Sequence, residues 1–177
     1  REKQYTEEEK HRLLDWQIEH MKRIIPTYRR LLDEQRIDIS FTPYFHPILP
    51  LLCDTDVARE AMPDIQLPPR RFRHPEDAAR QIQMSRDRYR ECFGRELTGM
   101  WPSEGSVSME TLDIMLKQNI SWTATDEEIL YHSLLKSGHE RAGTSAYHVY
   151  EYGPGIKLFF RDHSLSDRIG FVYSGWK

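Results

Sequence analysis

The chain has 177 residues, and its 25 basic and 28 acidic side chains give a formal net charge of −3. That balance gives no reason to invoke nucleic acid, and with a mean hydropathy of −0.71 no apolar run approaches the ~20 residues of a membrane span. The length suits one domain with a sizeable core; Cys53 and Cys92 are too few for a disulfide framework or a zinc site, which points to a reducing, cytoplasmic setting.

Thr6 followed by Glu9 is a capping-box pattern, and Leu13, Leu14, Ile18, Met21, Ile24 and Ile25 recur at helical spacing. They predict one long helix with a core face, ending at Pro26, then a short helix carrying Tyr28, Leu31 and Leu32. Residues 37–41 alternate apolar and polar, as in a strand. Three prolines in the following stretch to residue 52 predict an ordered aromatic loop without regular helix. Residues 54–62 read as a short helix, and Arg70, Arg71 and Arg73 as a solvated linker. A helix opening at Pro75 ends at Gly94.

Residues 97–101 then read as a strand, Pro102 to Gly105 as a turn, and a helix starts near Ser108. In α/β proteins such a turn lies at the carboxyl edge of the sheet, where chemistry is placed. Glu104 occupies it, three residues after Trp101. A carboxylate beside an indole suits a saccharide cleft, with the ring as an apolar platform. A strand over 120–126 ends at Asp126, which reads either as a helix-start acid or as a second cleft wall. After a helix over 129–135, the polar loop 136–145 is expected to be the most mobile part. Strands over 147–152 and 156–160 flank Gly153-Pro154-Gly155, a hairpin excursion within mostly parallel β/α units.

Three stretches in order resemble glycoside hydrolase family 57, the α-amylase, amylopullulanase and 4-α-glucanotransferase group. They are Thr42-Pro43-Tyr44-Phe45-His46-Pro47-Ile48-Leu49-Pro50-Leu51, Trp101-Pro102-Ser103-Glu104-Gly105, and Phe159-Phe160-Arg161-Asp162-His163-Ser164-Leu165-Ser166-Asp167-Arg168-Ile169-Gly170-Phe171. The resemblance covers residues 37–176, and its third stretch is closest to the amylopullulanase-like members. It implies an α/β fold that is part of an incomplete (β/α)7 barrel, and a retaining mechanism acting on α-glucans without a metal or cofactor. It maps the nucleophile to Glu104, the general acid/base to Asp162 with Asp167 as second choice, and a sugar-binding subsite to His46. Trp101, Asp126 and Asp167 are further substrate-contact candidates.

Retaining hydrolysis needs two carboxyls roughly 5 to 5.5 Å apart, so only a fold that gathers strand ends pairs Glu104 with Asp162. Arg161 beside Asp162 would favour its ionised form if the two side chains met, and Glu104 as an anion would oppose that. The plain alternative for Asp162, and for Asp167, is a helix cap. The family's opening His-Gln-Pro segment and its last motif have no counterpart here, and the separation of the two carboxyls is short for the family. Residues 1–177 are therefore expected to be a single domain, a barrel segment without its first strand and C-terminal part. Open sheet edges would favour homo-oligomers. Two rival readings are a non-catalytic carbohydrate-binding or assembly module, and a metal-dependent deacetylase-like enzyme. The second ranks last, because neither an Asp-Asp nor a His-x-x-x-His pattern occurs.

Overall fold

The computed structural model describes residues 4–140 and 145–176. The first helical stretch is two helices, α1 (Glu7–Met21) and α2 (Ile24–Asp33). The Thr6–Glu9 capping box forms at its start. Pro26 has no N–H for the carbonyl four residues back. The ladder therefore breaks at Lys22 and Arg23, and Pro26 lies in the first turn of α2 rather than ending α1. The core face expected of α1 is not there: Leu13, Leu14, Trp16, Ile18 and Met21 are exposed, and the helix buries no residue. Leu32 of α2 does enter the core.

The strand expected over 37–41 reduces to Phe41, which bridges in parallel to Met100. Asp38 accepts the Ile39 N–H at 2.8 Å, a local bond that competes with ladder pairing. The proline-rich stretch does hold a short helix, α3 (Leu49–Cys53), because Pro50 sits in its first turn, where no donor is missed. Residues 54–62 divide into a 3-10 turn, Thr55–Val57, and α4 (Ala58–Ala61). Arg71 of the basic linker pairs with Asp54 and Asp56. Helix α5 (Pro75–Phe93) is bounded as expected, with Gly94 left-handed at φ +67°. Arg29 of α2 donates to the Cys92 carbonyl at the end of α5, 2.9 Å away.

Strand β1 (Gly99–Met100), helix α6 (Met109–Lys117), strand β2 (Trp122–Asp126), helix α7 (Glu127–Lys136), strands β3 (Tyr150–Tyr152) and β4 (Ile156–Arg161), and helix α8 (His163–Asp167) follow. Residues 141–144 of the polar loop lie outside the described residues. The sheet order is β1-β2-β4-β3; β1, β2 and β4 run parallel, and β3 is antiparallel to β4. Met100, Leu97, Ile120 and Ile156 meet Ile82 of α5 and Met115 of α6 in the core, all nearly inaccessible to solvent. Gly99 pairs with Trp122, and a Cβ there would lie 2.0 Å from the indole, so the position admits only hydrogen. Cys53 and Cys92 are free and buried. Burial above all, with Glu110 and Asp54 adding, pushes the Cys53 thiol up to about 11. No helix among the described residues is long and apolar enough to cross a membrane.

Candidate active site

Parallel β1, β2 and β4 end at one edge, and the Phe41 bridge runs parallel beside them. His46, Trp101, Glu104, Asp126 and Asp162 therefore all follow, or end, segments whose carboxyl ends lie at that edge, as the sequence predicts.

Glu104 sits in a tight 3-10 turn, Ser103–Gly105, with φ +55° and ψ +20°. This is the left-handed region, costly for a residue with a Cβ. Three contacts hold the turn. The Thr125 hydroxyl of β2 donates to the Gly105 carbonyl, the Ser106 hydroxyl donates to the Ser103 carbonyl at 2.7 Å, and the Trp101 ring packs beside Gly105. Trp101 thus braces the turn with its ring, while its backbone N–H donates to the Phe41 carbonyl at 3.0 Å. Next door, the Thr123 hydroxyl donates to the Met100 carbonyl at 2.7 Å. The Glu104 side chain is 76% exposed, and its carboxylate lies 4.0 Å from Nδ1 of His46. His46, between Phe45 and Pro47, is left-handed too, at φ +58°.

A second group gathers at the ends of β2 and β4. Asp126 caps α7 by accepting the Glu128 N–H at 3.1 Å, which supports its helix-start reading. Its other oxygen accepts from Arg161 Nε at 2.8 Å and lies 3.1 Å from His163 Nδ1. Burial pushes the Asp126 carboxyl up, but the Glu128 N–H, Arg161 and His163 outweigh it and hold it below the usual range. His163 Nε2 reaches Asp167 at 3.1 Å, so the imidazole bridges two carboxylates, and its pKa is raised by Asp126 first and Asp167 next. The Arg161 side chain thus turns to Asp126 rather than to Asp162.

Asp162 caps α8, accepting the Leu165 N–H at 2.8 Å, and it accepts the Tyr147 hydroxyl at 3.0 Å. The Leu165 N–H, followed by the Tyr147 hydroxyl, lowers its pKa. The cap alternative is therefore realised at Asp162. Asp167, by contrast, makes no cap and pairs with His163 and, more distantly, Arg161. Direct contacts thus join His46 to Glu104, and Asp126 to Asp167 through His163. Asp162 is joined to Tyr147.

Tyr147, His163 and Thr125 are neighbours that sequence reasoning did not single out, and Arg161 was weighed there only against Asp162. The motif containing Arg161 and His163 was a signal for two of them. The β3–β4 hairpin was legible in the sequence, but the Tyr147 hydroxyl's contact with Asp162 across it is one that no local pattern reports. Among the described residues no group of three or more His, Cys, Asp or Glu is arranged to hold a metal ion.

The family model described as glycosyl hydrolase family 57 matches residues 7–177. The chain belongs to that family. Among similar solved structures is the α-amylase AmyC from Thermotoga maritima, at 16% identity and TM-score 0.63 over 92% of this chain and 27% of that one. Another is the 4-α-glucanotransferase from Thermococcus litoralis, at 22% identity and TM-score 0.60 over 90% of this chain and 21% of that one. A third is the GH57-type branching enzyme from the hyperthermophilic archaeon Pyrococcus horikoshii, at 16% identity and TM-score 0.61 over 97% of this chain and 32% of that one. These likenesses show the fold: an α/β arrangement, mostly parallel, that forms part of an incomplete (β/α)7 barrel. The chain spans 21 to 32% of the length of these three structures. Comparison with curated proteins gives no match.

Proposed function

We propose that the chain is a single-domain segment of the catalytic barrel of a retaining glycoside hydrolase or transglycosylase acting on α-glucans, with Glu104 as nucleophile. One observation carries this reading. An exposed carboxylate in a left-handed turn faces an exposed, left-handed histidine 4.0 Å away, at the carboxyl edge of a parallel sheet. Backbone strain at two adjoining polar residues that contribute little burial is the pattern of a functional site. Family membership and the amylase, glucanotransferase and branching-enzyme neighbours support α-glucan as substrate. Glu104 attacks the anomeric carbon, and His46 supports the sugar beside it. Trp101, Asp126 and Asp167 complete the substrate edge. Free, buried cysteines suit a cytoplasmic location.

Asp162 is the acid/base of this proposal, and its contacts make the assignment testable. The Leu165 N–H and Tyr147 hydroxyl favour its anion, so proton donation needs substrate to bury it against the Glu104 charge. Asparagine caps a helix about as well as aspartate. Asp162→Asn should therefore keep its thermal midpoint, lose turnover of maltooligosaccharides, and still release the phenol of an activated aryl glycoside in a first-turnover burst, because only the later attack of water on the glycosyl-enzyme then lacks its base. Full maltooligosaccharide turnover in that variant would leave Asp162 as a cap alone.

The leading test is incubation with maltooligosaccharides, of this chain and of any longer protein containing it, with products resolved by chromatography. Glu104→Gln should abolish products and leave stability within about 0.5 kcal/mol, as for an exposed substitution. Saccharide binding with no turnover in either protein would favour the binding-module reading.

A further inference from the structure

We propose that Tyr44 and Phe45 form a preformed stacking platform for one glucose ring of an α-glucan, beside Glu104; this rests on the reading of that edge as a saccharide site. Phe45 is 72% exposed and Tyr44 42%, although both are aromatic residues on a loop that runs straight into the core at Leu49 and Pro50. Their rings meet edge to face, with centroids 4.8 Å apart at 85°. The pair supports itself and leaves apolar surface open to solvent.

The loop carrying the pair is anchored rather than free. The Tyr44 N–H donates to the Gln81 carbonyl at 3.4 Å, and the Phe45 N–H to the Gln81 side-chain oxygen at 2.9 Å. Next to it, the His46 N–H donates to the Pro43 carbonyl at 2.8 Å, closing the turn that sets His46 against Glu104. Pro43 and Pro47 stiffen both ends. Much of the ordering cost of this loop is therefore met before any ligand arrives.

A pyranose offers a face of C–H groups and a rim of hydroxyls. The more exposed Phe45 ring, propped edge to face by Tyr44, matches the C–H face, and the adjoining imidazole and carboxylate match the rim. An exposed aromatic pair alone also fits a second copy of the chain. The polar pair immediately beside it favours the sugar.

The test is calorimetric titration of maltoheptaose into the whole chain and its variants. Phe45→Ala should bind about tenfold more weakly, the upper range for losing one aromatic contact, with an unchanged thermal midpoint, since the side chain is outside the core. Phe45→Trp should bind at least as well, and its indole fluorescence should change on saccharide addition. Wild-type affinity in Phe45→Ala overturns the platform, as does the absence of maltoheptaose binding by the wild-type chain. So does a concentration-dependent dimer that Phe45→Ala dissolves without altering saccharide affinity, since the surface then serves a second copy. The two readings fail separately. If Glu104→Gln leaves turnover intact while Phe45→Ala weakens binding, the nucleophile is misassigned and the platform stands. If Glu104→Gln abolishes turnover and Phe45→Ala binds normally, the platform alone falls.

Discussion

At the scale of single residues, Glu104 stands out because the fold has no stabilising use for it. Its side chain is mostly in solvent, its backbone is left-handed, and its one ionic neighbour among the described residues is a histidine at 4.0 Å. Glycine adopts that conformation without the Cβ penalty. Glu104→Gly should therefore raise the free energy of urea unfolding by about 1 kcal/mol while ending turnover. A loss of stability instead would mean that the carboxylate contributes a structural contact. Asp162 differs in kind. Its oxygens are committed to the Leu165 N–H and the Tyr147 hydroxyl, so a substitution there mixes chemistry with capping unless asparagine is used.

At the scale of elements, two junctions hold the edge in register. The first is β1 against β2, where the Trp122 indole lies over Gly99. Gly99→Ala forces the ring away from its edge-to-face contact with Phe159 and should cost about 1–3 kcal/mol in urea unfolding. The second is the link between β2, β4 and α8, made by His163 between Asp126 and Asp167. Arg161 bonds to Asp126, and Glu127 accepts the His163 N–H at 3.0 Å. The His163 pKa is raised in the fold. Its contribution is therefore complete below the unfolded imidazole value of about 6.5 and is lost as pH rises through the higher folded value. Asp126 is lowered, so its contribution is present above about 3.9 and is lost as pH falls through its folded value. Thermal midpoints between pH 5 and 9 should fall on the alkaline side in the wild type. They should fall less in His163→Gln; identical profiles would remove the bridge from the stability argument.

At the scale of the whole molecule, burial is uneven. Helix α5 places Ala78, Ile82, Tyr89 and Phe93 in the core, whereas α1 buries nothing and depends on its capping box and intrahelical pairs such as Lys10–Glu7. A 15-residue helix without tertiary burial is marginal in water. Amide hydrogen exchange should show residues 7–21 exchanging orders of magnitude faster than residues 78–93. Equal protection would mean that the apolar face of α1 is covered in solution.

Local signals carried much of the architecture. Capping residues, Pro75 and Gly94 marked helix ends because caps act within a few residues. Strand and helical patterning located β2, β4 and α5, and the same strand and turn readings placed Glu104, Asp126 and Asp162 at or just after strand ends. The same rules misjudged α1, because amphipathic spacing reports which face is apolar and not whether anything packs on it. They also misjudged 37–41, where Asp38 takes the amide a strand would share, and the proline loop, where Pro50 occupies the one helical turn that tolerates it. Sequence alone thus determined most of the elements and the strand ends that Glu104, Asp126 and Asp162 follow or close. Only the tertiary structure decided that His46 meets Glu104, that Arg161 turns to Asp126, and that Tyr147 reaches Asp162, because those contacts join residues brought together by the fold rather than by chain proximity, whereas the Asp162 cap is bonded three residues along and was open to reading in the sequence.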